Sequence, residues 1–336
     1  MGHLRIPVRV PVITVAGLAL LVTACTSTKS GSSDSSTESG GTVSIGLVTK
    51  TNTNPYFVKL RDSAQAEADK QGAKLIALAG KFDGDNQGQV DAINNLVTQG
   101  VKGILITPSN STGVISAIKA ARDKGIVVIA LDTETDPVDA VDATFATDNK
   151  DAGVKQGKYV KAALGDRTPA LVMLDGTPGA TVDDQRHNGF LEGFGITDSS
   201  SEIKGTAVTN GDQTKAQTAM ENLYQRDPGV NAVYTINEPA AAGAAQALSG
   251  KTGVVIGSID GSCSGVNNVK SGKFAATVMQ FPKKMAVDGV DAVVDFAKNG
   301  KKPSGFTDTG SQLITDKPVS GLDSQDTAWG LKNCWG

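Results

Sequence analysis

Short apolar runs alternate with longer amphipathic stretches along most of the 336-residue chain. The runs fall at residues 43–48, 73–79, 103–106 and 126–131, then at 170–174, 231–236 and 254–259. Unbroken apolar runs of this length, flanked by turn residues, predict strands of a parallel sheet covered on both faces. Between them, residues 55–71, 87–99, 112–124, 151–164, 214–226 and 239–248 carry the spacing of helices with one apolar face. Strand and helix in strict turn predict doubly wound α/β layers with right-handed crossovers. So many strands overfill one sheet, so the pattern predicts two α/β lobes. The second set opens after Thr144-Phe145-Ala146-Thr147-Asp148-Asn149, which marks the crossing between them.

Ahead of the first strand the pattern changes character. Arg5 and Arg9 precede an apolar stretch at 10–22, which ends in Val22-Thr23-Ala24-Cys25. Thirteen residues are fewer than the roughly 20 a membrane span needs. Small residues just before a cysteine predict an export signal with a lipoprotein cleavage site, so residues 1–24 are expected to be removed. Cys25 would then carry lipid, and the Ser/Thr/Gly-rich remainder of 25–41 has the composition of a solvated tether. The protein is therefore expected on the outer face of the cell membrane, held there by the lipid alone. A net charge of -3 with no basic stripe argues against nucleic acid as a partner. Of three cysteines, two remain once Cys25 is assigned to lipid. In an oxidising compartment the pair Cys263 and Cys334 favours a disulfide, the alternative being two buried free thiols.

In open parallel sheets, ligands bind beyond the carboxyl ends of the strands. That rule selects Asn54, an N-cap followed by Pro55, with Tyr56 and Phe57 on the first helical turn facing the cleft. It also selects Asp132, Asn237 and Asp260, each just past an apolar run. Any one of these could merely cap the next helix; their recurrence in both halves favours a shared site. Carboxylates accept from hydroxyl pairs, amides donate and accept, and an aromatic face suits the C–H side of a ring. The set therefore predicts a neutral, polyhydroxylated ligand. Enzyme chemistry has fewer parts. His187 is the one histidine beyond the signal, too few for a His-dependent triad or a multi-histidine metal site. Asp83-Gly84-Asp85-Asn86-Gln87-Gly88 resembles a calcium loop only in its first residues, since Asn94 stands where the bidentate acid belongs. Asp183-Asp184 reads as a surface turn rather than a glycosidase pair. With no phosphate-cradling loop, no catalytic residue, metal or cofactor is expected, and ATP would be hydrolysed by a separate subunit.

Several segments resemble ribose-type periplasmic binding proteins in order and spacing: Thr53-Asn54-Pro55-Tyr56-Phe57, Ile129-Ala130-Leu131-Asp132, Arg186-His187-Asn188-Gly189-Phe190, Asp260-Gly261 and Ala276 through Pro282. Within that family, Thr235 through Ala244, Phe82-Asp83-Gly84-Asp85, Asp260-Gly261-Ser262-Cys263 and Lys332 through Gly336 are most similar to fructose-binding proteins of ABC importers. The resemblance implies two doubly wound lobes joined by a three-strand hinge near Thr147, Phe281 and Gly310. One lobe would comprise residues 42–147 and 281–310, the other 148–280 and 311–336. It implies that Asn54 and Asp132 bind sugar hydroxyls from the first lobe, with Tyr56 and Phe57 against the ring. Arg186, Asn237, Asp260 and Gln280 would close from the second lobe or the hinge. Two departures are visible: ribose binders have Arg where Thr133 stands, and their second-lobe stacking aromatic falls near Gly211. The implied role is a monomeric receptor that delivers a monosaccharide, D-fructose first, to an ABC permease. Ribose, mannose, another pentose or hexose, or a polyol are the alternatives. A sugar-sensing receptor or an envelope enzyme acting on sugars are the rivals from other classes. A disulfide between Cys263 and Cys334 would lie on the second lobe, remote from the cleft.

Overall fold

Residues 42–146 fold into alternating strands and helices whose order follows the apolar runs. The computed structural model describes residues 42–336; the export signal, Cys25 and the tether expected at 1–41 lie outside the described residues. The first half contains β1 (Ser44–Thr49), α1 (Pro55–Lys70), β2 (Lys74–Ala79), α2 (Asn86–Thr98), β3 (Gly103–Ile106), α3 (Ile115–Asp123), β4 (Val127–Leu131) and β5 (Ala143–Ala146). The second contains α4 (Asn149–Leu164), β6 (Leu171–Asp175), α5 (Thr181–Phe194), β7 (Ile203–Val208), α6 (Gln213–Arg226), β8 (Ala232–Thr235), α7 (Glu238–Ala247), β9 (Val255–Asp260), α8 (Cys263–Lys270) and β10 (Ala276–Gln280). The chain ends with α9 (Pro282–Asn299), β11 (Gly305–Asp308), β12 (Ser311–Ile314) and α10 (Thr327–Asn333).

Two six-stranded sheets result, ordered β2-β1-β3-β4-β5-β11 and β7-β6-β8-β9-β10-β12. The orders match position for position, and each reverses direction once, between β1 and β3 in the first sheet and between β6 and β8 in the second. Such a reversal opens a crevice at the strands' carboxyl ends. The first sheet is wholly parallel, while β12 runs antiparallel to β10 at the edge of the second. Thr144, Phe145 and Ala146, expected to belong to the crossing, lie in β5; the chain leaves the sheet only after Ala146. It returns after β10, as α9 packs on the first sheet, and crosses again between β11 and β12. Two of the crossings touch: the Thr147 hydroxyl donates to the Gly310 carbonyl at 3.4 Å, and the Asp148 N–H to Asp308 Oδ1 at 3.1 Å. Among the described residues, no helix is long and apolar enough to cross a membrane.

Both faces of each sheet are covered, which is why the runs are continuous rather than alternating. In the first sheet Ile45, Leu47, Leu105 and Ile129 pack under α1 and α9, while Val48, Ile104, Ile106 and Val128 pack under α2 and α3; all eight are buried. In the second, Met173 and Tyr234 meet Val160, Phe190 and Phe194, and Val172, Leu174 and Val233 meet α6 and α7. Helices α4 and α5 approach until their backbones touch. A Cβ at Gly153 would strike the Arg186 carbonyl, one at Gly157 the Phe190 carbonyl, and one at Gly189 the Lys150 carbonyl. Only glycine permits that approach, and it sets how far Arg186 reaches into the crevice.

Candidate ligand cleft

The carboxyl ends of the two sheets face each other, and their loops close on a cleft. The lobes are shut across one side of it. Ser111 N–H donates to the Gly179 carbonyl (2.8 Å), the Thr181 hydroxyl to the Glu134 carbonyl (2.8 Å), and Gln185 Nε2 to Glu134 Oε2 (2.9 Å). A narrow inner chamber is lined by Asn54, Tyr56, Phe57, Asp132, Arg186, Asn237, Asp260 and Gln280 together. The eight residues selected from the sequence thus share one space.

Local structure explains how each arrives there. Asn54 and Asn237 do cap helices: Asn54 Oδ1 accepts from the Tyr56 N–H (3.0 Å) and Asn237 Oδ1 from the Ala240 N–H (2.9 Å). Capping uses one side-chain atom and holds the rest of the amide at the cleft wall, so the capping and lining roles coexist. Asp132 follows β4 with φ of 67°, a left-handed conformation that Asp and Asn tolerate better than most residues. Its Oδ2 accepts from the Thr133 hydroxyl at 3.0 Å, and its Oδ1 lies 3.8 Å from an Arg186 nitrogen. Arg186, buried on α5, also donates to Asn149 Oδ1 (2.9 Å) and the Ile236 carbonyl (3.0 Å), while Asn149 Nδ2 donates to the Asp132 carbonyl (2.9 Å). Arg186 and Asn149 therefore link the two lobes through one aspartate.

Asp260 terminates β9 and accepts from the Glu238 N–H (3.2 Å) and from Gln280 Nε2 (3.0 Å). Burial, and then the Glu238 carboxylate behind it, push its carboxyl well above the usual range. Glu238 is itself buried and saturated, accepting from the Gly261 and Ser262 N–H groups and the Ser262 and Thr277 hydroxyls. Gln280 is fully buried, and its Oε1 has no protein partner. Tyr56 lines the chamber with its ring, while its hydroxyl contacts Met285 Sδ at 3.1 Å. Burial and the nearby Asp132 raise the Tyr56 hydroxyl far above 10, so it stays neutral.

A sequence profile for the periplasmic binding protein domain matches residues 45–302. This chain belongs to the periplasmic binding proteins. It is similar to the ribose import binding protein of Bacillus subtilis, 32% identical over 81% of this chain and 87% of that one. It is also similar to the D-allose-binding periplasmic protein of Escherichia coli, 30% identical over 79% and 88%. Among solved structures, an ABC transporter solute binding protein from Mycobacterium smegmatis with bound glycerol superposes with a TM-score of 0.76. That protein is 28% identical, over 85% of this chain and 99% of that one. Periplasmic binding proteins hold a solute outside the cytoplasm and are not enzymes.

Three charged residues of this binding protein line the inner chamber without having been selected from sequence. Lys50, buried at the end of β1, points at Asp83 Oδ2 from 4.0 Å, and Asp83 Oδ1 has no partner. The strand-end rule reaches Lys50 as readily as Asn54, and Asp83 sits in a segment already notable. Asp183 corrects an expectation: it belongs to the first turn of α5, not to a surface turn. Its Oδ2 accepts from the Thr177 N–H at 2.8 Å, its side chain faces the cleft, and burial pushes its carboxyl up to about 7. Only its neighbour Asp184 faces solvent.

Trp335, also not selected from sequence, lies beside the inner chamber rather than in its lining. Cys263 and Cys334 are joined, with Cα atoms 4.9 Å apart. Yet the bond is not remote from the cleft: Ser262 and Ser264 beside one cysteine and Trp335 beside the other line an outer chamber next to the inner one. The chain's last turn folds over the ends of β9 and β10, which brings the bond to the cleft side of the second lobe. His187 lies outside the chamber, clamped between Asp175 and Asp198 at 2.7 Å each.

Proposed function

We propose that this chain is the receptor of an ABC importer for a neutral monosaccharide, with D-fructose the first candidate. The observation that carries the reading is the lining of the inner chamber. Four aspartates, Asp83, Asp132, Asp183 and Asp260, surround two cations, Lys50 and Arg186, with the amides of Asn54, Asn237 and Gln280 between them. An anion would meet a surplus of carboxylates. A polyol can donate to each carboxylate and accept from each amide or guanidinium, and a carboxyl kept neutral by burial both donates and accepts. The unpaired Gln280 Oε1 and Asp83 Oδ1 are acceptors that hydroxyl groups would satisfy. The relatives named for ribose and D-allose, and the neighbour with bound glycerol, agree with a polyhydroxylated solute.

Fructose rests on the sequence segments shared with fructose-binding proteins and on the departures at Thr133 and Gly211, which remove a cation and a ring from the ribose-type pocket. The relatives' names favour ribose or allose as the second reading. The lobes of 42–147 with 281–310 and of 148–280 with 311–336 would close about the three crossings, as periplasmic binding proteins commonly do. Lipid on Cys25 would hold the monomer beside its permease. Isothermal titration with fructose, ribose, allose, mannose, xylose, glucose and galactose tests the reading: saturable binding of one sugar, recovered unchanged, is expected. No heat with any of them would overturn it, and tighter ribose than fructose would replace the first candidate. Labelling with radioactive palmitate that survives Cys25→Ser would refute the anchor.

A further inference from the structure

The second lobe lacks an aromatic side chain at Gly211, where the resemblance predicts one, yet the outer chamber that Gly211 lines is also lined by Trp335. Trp335 reaches there from the chain's end through three attachments. Cys334 is bonded to Cys263, the Cys263 N–H donates to the Trp335 carbonyl at 2.9 Å, and Ser262 and Trp335 form a parallel bridge. The indole N–H is shared by the carbonyls of Asp260 (3.2 Å) and Gln280 (3.1 Å), the backbones of two proposed ligand residues. The ring meets Tyr56 of the opposite lobe edge to face, with centroids 5.5 Å apart at 76°. Although the chain around it belongs to the second sheet, Trp335 packs in the apolar cluster of the first.

We propose that Trp335 buttresses the ligand cleft from its outer side, holding Tyr56 and the main chain of Asp260 and Gln280 in place, and that the Cys263–Cys334 bond sets its position, so that the last three residues of the chain determine ligand affinity. A lone seven-residue helix such as α10 cannot hold a terminal tryptophan by its own stability, since isolated helices of that length are marginal. The covalent bond one residue away does so. Held there, the indole backs Tyr56, fixes the main chain at Asp260 and Gln280, and gains its Tyr56 contact only when the lobes are shut. Both effects favour the liganded, closed form.

The inference rests on the proposed function for its ligand, and the test separates the two. Sugar titrations are run on the wild-type protein, Trp335→Ala, Trp335→Phe and the double variant Cys263→Ser/Cys334→Ser, with circular dichroism to verify folding at the assay temperature. Trp335→Ala and the double variant should bind at least about tenfold more weakly, and Trp335→Phe, which keeps a ring, should recover much of that loss. Affinity within twofold of wild type in Trp335→Ala, whatever the melting temperature, overturns the proposal. A wild-type protein that binds no sugar refutes the sugar reading alone, and a second arm then decides. Trp329→Phe leaves Trp335 as the one tryptophan. Its emission should be blue-shifted and shielded from acrylamide, and should become quenchable when both cysteines are replaced. Equal quenching with and without the bond shows that the disulfide does not place the indole and overturns the proposal.

Discussion

Replacing Asp132 by Asn is the sharpest perturbation of the cleft, because it removes charge while keeping shape. Asp132 holds φ of 67°, where a β-branched residue or Ala would add backbone strain of roughly 1–2 kcal/mol; Asn tolerates it. The change leaves the Thr133 hydroxyl an acceptor but removes the partner of Arg186 at 3.8 Å. A hydrogen bond to a charged acceptor contributes about 1.5–3 kcal/mol and a neutral one about 0.5–1.5. One or two sugar hydroxyls on this carboxylate therefore predict a loss of about 1–3 kcal/mol, roughly five- to 150-fold in affinity. Stability should change less. The Coulomb attraction of an ion pair at this distance is about 4 kcal/mol at an effective dielectric of 20, but desolvation offsets most of it, leaving about 1–2 kcal/mol. Isothermal titration gives the first quantity and urea unfolding the second. Affinity within twofold of wild type, in a protein that unfolds at the same urea concentration, would show that Asp132 is not a sugar acceptor.

Three further outcomes are expected. Gly157→Ala places a methyl against the Phe190 carbonyl, so it should cost about 1–3 kcal/mol in urea unfolding and weaken sugar binding by shifting α5 and Arg186; unchanged values for both would contradict the close helix approach. His187 is raised to about 9, first by its hydrogen bond to Asp175, so the native state holds a proton that the unfolded chain releases above 6.5. That stability is complete below pH 6.5 and lost as pH rises through 9. At 1.36 kcal/mol per unit it amounts to about 3 kcal/mol, nearer 2 because Asp198 is exposed and screened. Parallel melting-temperature profiles for wild type and His187→Gln over pH 6.5–9 would refute the clamp. Finally, the shut arrangement bridged by Ser111, Glu134 and Thr181 should require ligand, so small-angle scattering should give a smaller radius with sugar than without. Equal radii would count against closure.

The order of strands and helices was legible through the first lobe and in part of the second, because each sheet is buried on both faces, which leaves continuous apolar runs that a local pattern can show. Strand ends are then known, and the crevice rule reaches Asn54, Asp132, Asn237 and Asp260 without tertiary information; Arg186 and Gln280 needed the family resemblance. The pattern was silent on β7, β10, β11 and β12 and on α5, α8, α9 and α10; the four residues of β11, for one, are all exposed at a sheet edge, and β5 was read as a linker because the run continues straight into the crossing. Asp183 shows a different limit. Two adjacent acids look solvated in a linear chain, and only the packing of α5 decides that one faces the cleft and its neighbour faces water. Lys50 and Asp83 come from separate strand ends, and nothing local says that their side chains converge. Trp335 and Tyr56 lie at opposite ends of the described chain, and their contact exists because a covalent bond folds the C-terminus over β9 and β10. Periodicity records which residues leave water. Which of the remaining polar and aromatic side chains meet depends on directions set by packing between distant elements, and those are fixed only when the whole chain has folded.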